Sequence, residues 1–139
     1  MSKTVTQRVI FKGLSPKRLY ETYMSSKKHG AAIGAPASVE PKVGGRFSAF
    51  GMLNGQFLVL VKNKMIVQRW RSVKFKKTDE DSILVLRFEK TDGGARIDLV
   101  HTSIPDHDYA AIQKGWPKHY WRPWANYFKK AKATSGGNS

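Results

Sequence analysis

Apolar and polar residues alternate from Val5 to Lys12: Val5, Gln7, Val9 and Phe11 fall on one side, Thr6, Arg8, Ile10 and Lys12 on the other. That period of two predicts a half-buried strand. A helix signal follows, with Ser15 as N-cap, Pro16 at the first helical position, and Leu19, Tyr20, Tyr23 and Met24 recurring on one side. Lys27 and Lys28 suit the negative end of its dipole and Gly30 offers a stop, so one helix is expected up to there. The small residues from Gly30 to Pro36 read as a flexible loop.

From Gly44 to Thr102 the pattern is one of strands and turns. Phe47 to Gly51, Gln56 to Val61, Met65 to Phe75, Ser82 to Lys90 and Ala95 to Thr102 read as β. Asn54-Gly55, Lys62-Asn63-Lys64, Thr78 to Asp81 and Asp92-Gly93-Gly94 separate them, and such short turns imply sequential antiparallel hairpins. Leu84, Leu86 and Phe88 share a face, as do Ile97, Leu99 and His101; in the long strand Ile66, Gln68 and Trp70 oppose Arg69 and Arg71. One face of the sheet is apolar and the other wet.

After Ile104-Pro105 the spacing turns helical. Trp116, Tyr120, Trp124, Tyr127 and Phe128 recur every three or four residues as a stripe, while Lys114, Lys118, Arg122, Lys129 and Lys130 fall mostly elsewhere. Three of the four tryptophans lie in this segment. An aromatic helix facing a curved antiparallel sheet is the economical arrangement, an α+β domain over residues 1–133 with a flexible tail over 134–139. Pro117 is harmless only if the main helix begins there, and Pro123 should kink or interrupt it. Trp121 points off the stripe and is expected at an exposed rim.

Composition adds constraints. At 139 residues the chain is expected to hold one core, and its lack of cysteine removes disulfides and thiolate metal sites. The start carries no apolar run and no stretch is long enough for a spanning helix, so a cytoplasmic location is expected. The formal charge is +15, and it is uneven. Asp79 to Asp108 holds three bases against eight acids, a net of −5, leaving +20 on the rest. A field of that kind favours an acidic protein, a nucleic acid or a membrane surface as partner.

The order strand, helix, five strands, C-terminal helix carries a set of residues that resembles a known group. These are Phe11 followed by the Ser15-Pro16 helix with Leu19 and Tyr20, then Gly44-Gly45-Arg46-Phe47, Gly51, and Gly55 with Phe57. Next come Ile66-Val67 with Trp70-Arg71, then Leu99, His101 and Ile104-Pro105, and finally Gln113, Gly115-Trp116, Tyr120 and Trp121. The chain resembles the START-like (SRPBCC) superfamily, and within it the homologues of the activator of the heat-shock protein 90 ATPase, at that activator's C-terminal domain. The resemblance implies a helix-grip fold, here about six antiparallel strands curled around a long C-terminal helix with a short helix after the first strand. It also implies an apolar cavity between sheet and helix, with Trp116, Tyr120 and Trp124 as core or cavity wall.

Catalytic patterns are absent. No pair among His29, His101, His107 and His119 has a metal-ligand spacing, and neither a metal nor another cofactor is expected. Ser103 and Asp106 near His101 do not form a nucleophile elbow, and Gly44-Gly45 precedes a strand, so it is no phosphate loop. His101 reads as a hydrogen-bonded core histidine or as a polar anchor in a cavity. Two functions are expected of this non-enzymatic domain. The first is binding of a small hydrophobic ligand in a cavity lined by Phe11, Phe47, Phe57, Trp70, Leu86, His101, Trp116 and Tyr120, entered near the Gly30 to Pro36 loop. The second is a co-chaperone role, with Arg69, Arg71, Lys74, Lys76 and Lys77 gripping heat-shock protein 90. Nucleic-acid binding rests on charge alone and is the weaker expectation. A monomer or a weak homodimer is expected.

Overall fold

The computed structural model describes residues 2–138, with side chains described as far as residue 131. The elements run β1 (Ser2–Lys12), α1 (Pro16–Met24), α2 (Ser26–Ile33), β2 (Ala37–Val39), β3 (Arg46–Ala49), β4 (Leu53–Val61), β5 (Met65–Ser72), β6 (Ser82–Thr91) and β7 (Gly94–Pro105). A 3₁₀ turn (Asp106–Asp108), α3 (Tyr109–Trp116), a π-helical turn (Pro117–Trp121) and α4 (Arg122–Asn138) complete the chain. All seven strands form one antiparallel sheet in the order β1-β7-β6-β5-β4-β3-β2. Strands β2 to β7 are sequential hairpins, and β1 closes the far side by pairing with β7. The tail expected over 134–139 lies outside the described side chains.

The sheet has seven strands where about six were expected, the addition being the short edge strand β2. The single helix expected up to Gly30 is two. Ser25 adopts an extended conformation (φ −106°, ψ 123°), ending α1 and capping α2 by accepting a hydrogen bond from the Lys28 amide. Lys27 and Lys28 therefore stand in a first turn and not at a C-terminus. The expected Gly30 to Pro36 loop is half helix, because His29, Ala32 and Ile33 bury one side of α2 and the stop falls at Gly34, in the left-handed conformation at φ 69°. At the other end, Ser15 accepts from the Arg18 amide as its N-cap role requires.

Asn54-Gly55 is not a turn. The β3–β4 turn is Phe50 to Met52, with φ 60° at Phe50 and 67° at Gly51, and Asn54 and Gly55 pair within β4. Gly55 is required there because a Cβ would collide with the Arg69 carbonyl oxygen on the neighbouring strand. The strand expected to reach Phe75 stops at Ser72, and Phe75 is buried beneath the loop that follows.

The C-terminal region is bent by its π turn. The Arg122 amide bonds five residues back to the Pro117 carbonyl, so Pro123 falls in the first turn of α4, where its missing N–H costs little. The inserted residue also rotates the helix face. Tyr120 and Trp121 both point inward, and Trp121, expected at an exposed rim, is buried, stacks on Trp116 at 5.5 Å and donates from Nε1 to Gln7 Oε1. The stripe of Trp116, Tyr120, Trp124 and Phe128 closes against the inner face of the sheet as the spacing predicts.

Candidate functional site

Two regions carry chemistry beyond packing. In the interior, Val5, Phe11, Phe47, Phe57, Ile66, Leu84, Leu86, Ile97 and Leu99 alternate inward on their strands and supply the apolar floor. Two histidines with no exposed surface stand in it. His101, on β7, accepts at Nδ1 from Trp116 Nε1 (3.1 Å), so its proton resides on Nε2, which donates to Ser82 Oγ (2.8 Å). Ser82 in turn donates to the Trp70 carbonyl (2.6 Å). His29, on α2, holds the opposite tautomer: Nδ1–H donates to the Tyr23 carbonyl (2.8 Å) and Nε2 accepts from the Tyr120 hydroxyl (2.8 Å). Tyr23 then donates to Gln68 Oε1 (2.6 Å) on β5. Each chain of bonds fastens a helix to the sheet. Burial lowers His29 to a pKa of about 4 and His101 to about 3, so both stay neutral at pH 7. The same burial pushes the Tyr23 and Tyr120 hydroxyls up, keeping them as donors.

The eight residues expected to wall a cavity are all buried in the core, where they fall into neighbouring groups. Phe11 packs on Trp124 and Phe128 at one end of α4, whereas Phe47 stacks on Tyr23 and touches Phe57. Leu86 and Phe57 belong to the sheet's apolar floor. Trp70, His101, Trp116 and Tyr120 form a second cluster, with ring centroids 4.6 Å apart for Trp70 and His101 and 4.8 Å for Trp116 and Tyr120. Trp70, Trp116 and Tyr120 also border an open apolar groove of about 220 Å³ between α3 and the β3–β4 turn, completed by Phe50, Leu53 and Ile112. At its rim Asp108 is 5% exposed, and burial raises its carboxyl above the usual range. The indole N–H of Trp70 is buried without an acceptor among the described residues.

The second region is the loop joining β5 to β6, with the outer sheet face beside it. Arg71, expected as a partner contact, spends its guanidinium on this loop: Nη1 donates to the Asp79 carbonyl (2.7 Å) and to Asp81 Oδ1 (3.1 Å), Nη2 to the Lys76 carbonyl (2.6 Å). Its guanidinium carbon lies over the Phe75 ring, 5.5 Å from the centroid. Asp79 accepts from the Lys76 amide and pairs with His107 Nε2 (2.7 Å); the His107 bond, then that amide, hold its carboxyl below the usual range. Lys74, Lys76 and Lys77 stand exposed on this pinned loop, and Arg69 is exposed on β5 beside it. The sequence put these five together by adjacency but did not reveal that Arg71 pins the loop carrying the three lysines. Its own acid cluster, Asp79 to Asp81, was the available signal.

The groups available for metal ligation do not converge: among the described residues no three of His, Asp and Glu are gathered as a metal site. No helix is long and apolar enough to cross a membrane.

Against known proteins, a family profile described as Activator of Hsp90 ATPase homolog 1-like protein matches residues 13–129. The human "Activator of 90 kDa heat shock protein ATPase homolog 1" is 30% identical over 109 residues, 76% of this chain but 31% of that protein. The chain thus spans about a third of the length of that curated relative. Among solved structures, an HSP90 activator from Plasmodium falciparum superposes with a TM-score of 0.74 at 23% identity, covering 88% of this chain and 91% of the other. A protein from Mesorhizobium loti superposes at 0.77 with 16% identity, covering 92% and 98%. These two share the fold, the sheet gripping the C-terminal helix. With the profile matching most of its length, this chain belongs to the family of Activator of Hsp90 ATPase homolog 1-like proteins, within the START-like superfamily.

Proposed function

We propose that this domain is a non-enzymatic partner-binding module for a chaperone of the heat-shock protein 90 class. The observation that carries it is the β5–β6 loop, which Arg71 pins so that Lys74, Lys76 and Lys77 project from a fixed frame. Fixing the backbone that carries those side chains before contact lowers the entropic cost of binding, and their charge suits an acidic chaperone surface. Family membership supplies the class of partner. The test is a titration against the host's own chaperone at rising ionic strength, with ATPase rate recorded alongside. Binding is expected at low salt and should fade as salt screens the loop. Changing Lys74, Lys76 and Lys77 to Gln should weaken it about fivefold or more. Absence of any complex at low ionic strength would sink the proposal.

A second reading has its own observation. The groove bordered by Trp70, Trp116 and Tyr120 is apolar, and Trp70 brings a buried N–H with no acceptor among the described residues. A small, flat, largely apolar molecule carrying one acceptor fits that wall. Native mass spectrometry of gently purified protein should show a discrete added mass that Trp70→Phe removes; a bare polypeptide mass would end this reading. A stacking platform for nucleic acid has less support, since Trp116, Trp121 and Trp124 are buried.

A further inference from the structure

We propose that the outer face of the sheet is the docking surface for the acidic chaperone partner, by way of a valine row bracketed with unpaired arginines. The inference rests on the partner-binding reading above and names a surface that the loop alone does not supply.

Strand register sets the row. Val59 on β4 pairs with Val67 on β5, Val67 with Val85 on β6, and Val85 with Val100 on β7. Directly paired residues share a face, so four valines on four adjacent strands make an aliphatic stripe roughly 15 Å long. Val59 is 41% and Val100 38% exposed, so solvent reaches both ends. An outward face that needs only to be wet has no use for such a stripe, and contiguous apolar surface of this kind marks contact sites.

Each flanking row carries two arginines. On one side Arg46, Gln56, Arg69, Ile83 and Thr102 pair in sequence across β3 to β7; on the other run Val61, Met65, Arg87, Asp98 and Arg8. Arg8 and Arg96 share Asp98, and Arg71 takes Asp81. Among the described residues no carboxylate pairs with Arg46, Arg69 or Arg87. Arg46, Arg69 and Arg71, together with the carboxylates of Glu40 and Asp81, also border a basin of about 660 Å³ in this face. An aliphatic centre with a polar, charged rim is the anatomy of a protein interface.

The occupant follows from charge and shape. The three rows contain no aromatic ring on which a base could stack, which argues against nucleic acid. A second copy of a chain with net charge +15 would set arginine against arginine. What fits is a protein surface with an apolar strip edged by carboxylates. The area is small, so the contact is transient and salt-sensitive.

The experiment is isothermal titration of the full chain against the host's heat-shock protein 90 class chaperone, with two variants. Val59→Thr, Val85→Thr and Val100→Thr together keep β-branched residues on the strands and should leave the thermal midpoint close to wild type while weakening binding about tenfold. Arg69→Gln with Arg87→Gln should flatten the salt dependence. If the chaperone binds the valine variant as tightly as wild type, this surface is overturned while the chaperone reading stands. If wild type does not bind at all, both fall. Concentration-dependent self-association abolished by the valine changes, or equal sensitivity toward a single-stranded oligonucleotide, would also overturn it by naming a different occupant.

Discussion

The two faces of the sheet are built from the same strands and obey opposite rules. On the inner face the histidines are neutral and bonded at both nitrogens, with each tautomer fixed by its neighbours. On the outer face charges abound, and Arg46, Arg69 and Arg87 find no acid among the described residues. An unpaired charge costs little in water and a great deal in the core, so natural surplus collects outside. What the difference teaches is where to look for function: the inner face is explained by stability, whereas the outer face has charge and apolar surface that folding does not require.

Experiments that break this contrast can be ranked. The largest effect should come from Trp124→Ala. Trp124 has no exposed surface and contacts Phe11, Tyr23, Tyr120, Trp121 and Phe128. The loss should be about 3–5 kcal/mol by urea unfolding, enough to unfold a marginal domain.

Acid should unfold the inner face next. An unfolded histidine binds its proton near pH 6.5, while folded His29 and His101 bind theirs near 4 and 3. Between about pH 4 and 6.5 the unfolded state therefore holds more protons, and stability falls as pH drops through that window. Two such groups give a slope of up to about 2.7 kcal/mol per pH unit. His29→Gln should roughly halve the slope measured by denaturant titration from pH 7 to 4.5; an unchanged slope would mean that other groups govern acid unfolding.

Arg71→Gln should have a smaller, local effect. Hydrogen exchange at the Lys76 amide should quicken as the loop loosens, by about 1 kcal/mol of protection after allowance for solvent screening, with the global midpoint little moved. Each outer valine change taken singly should be smaller still for stability, within about 0.5 kcal/mol, since Val59 and Val100 are exposed and Val85 is partly exposed.

Much of this was legible in the pattern. Alternation set the inner and outer faces of β1, β5, β6 and β7, and helical spacing set the aromatic stripe against the sheet. Ser15-Pro16 placed the start of α1. The misses share a cause, namely local signals that tertiary packing overrode. Asn54-Gly55 is a strong short turn signal, yet it lies in a strand, where Gly55 leaves room for the Arg69 carbonyl of β5. Gly30 to Ile33 reads as a small-residue loop, yet it is helical: Ala31 and Ala32 favour a helix, and burying His29, Ala32 and Ile33 outweighs the cost of Gly30. Trp121 was misplaced because a regular period of 3.6 cannot foresee a π turn, whose extra residue turns the wheel.

By itself, then, the sequence determined the order of elements, the faces of the strands and the family, because these rest on periodicity and on residue types that act locally. Only the tertiary structure decided which groups meet: Trp116 with His101 and Ser82, Tyr120 with His29, Arg71 with the loop, and four valines in one row. Those meetings depend on strand register and helix rotation. Both are set by the packing of the whole domain and leave no mark on any short stretch of chain.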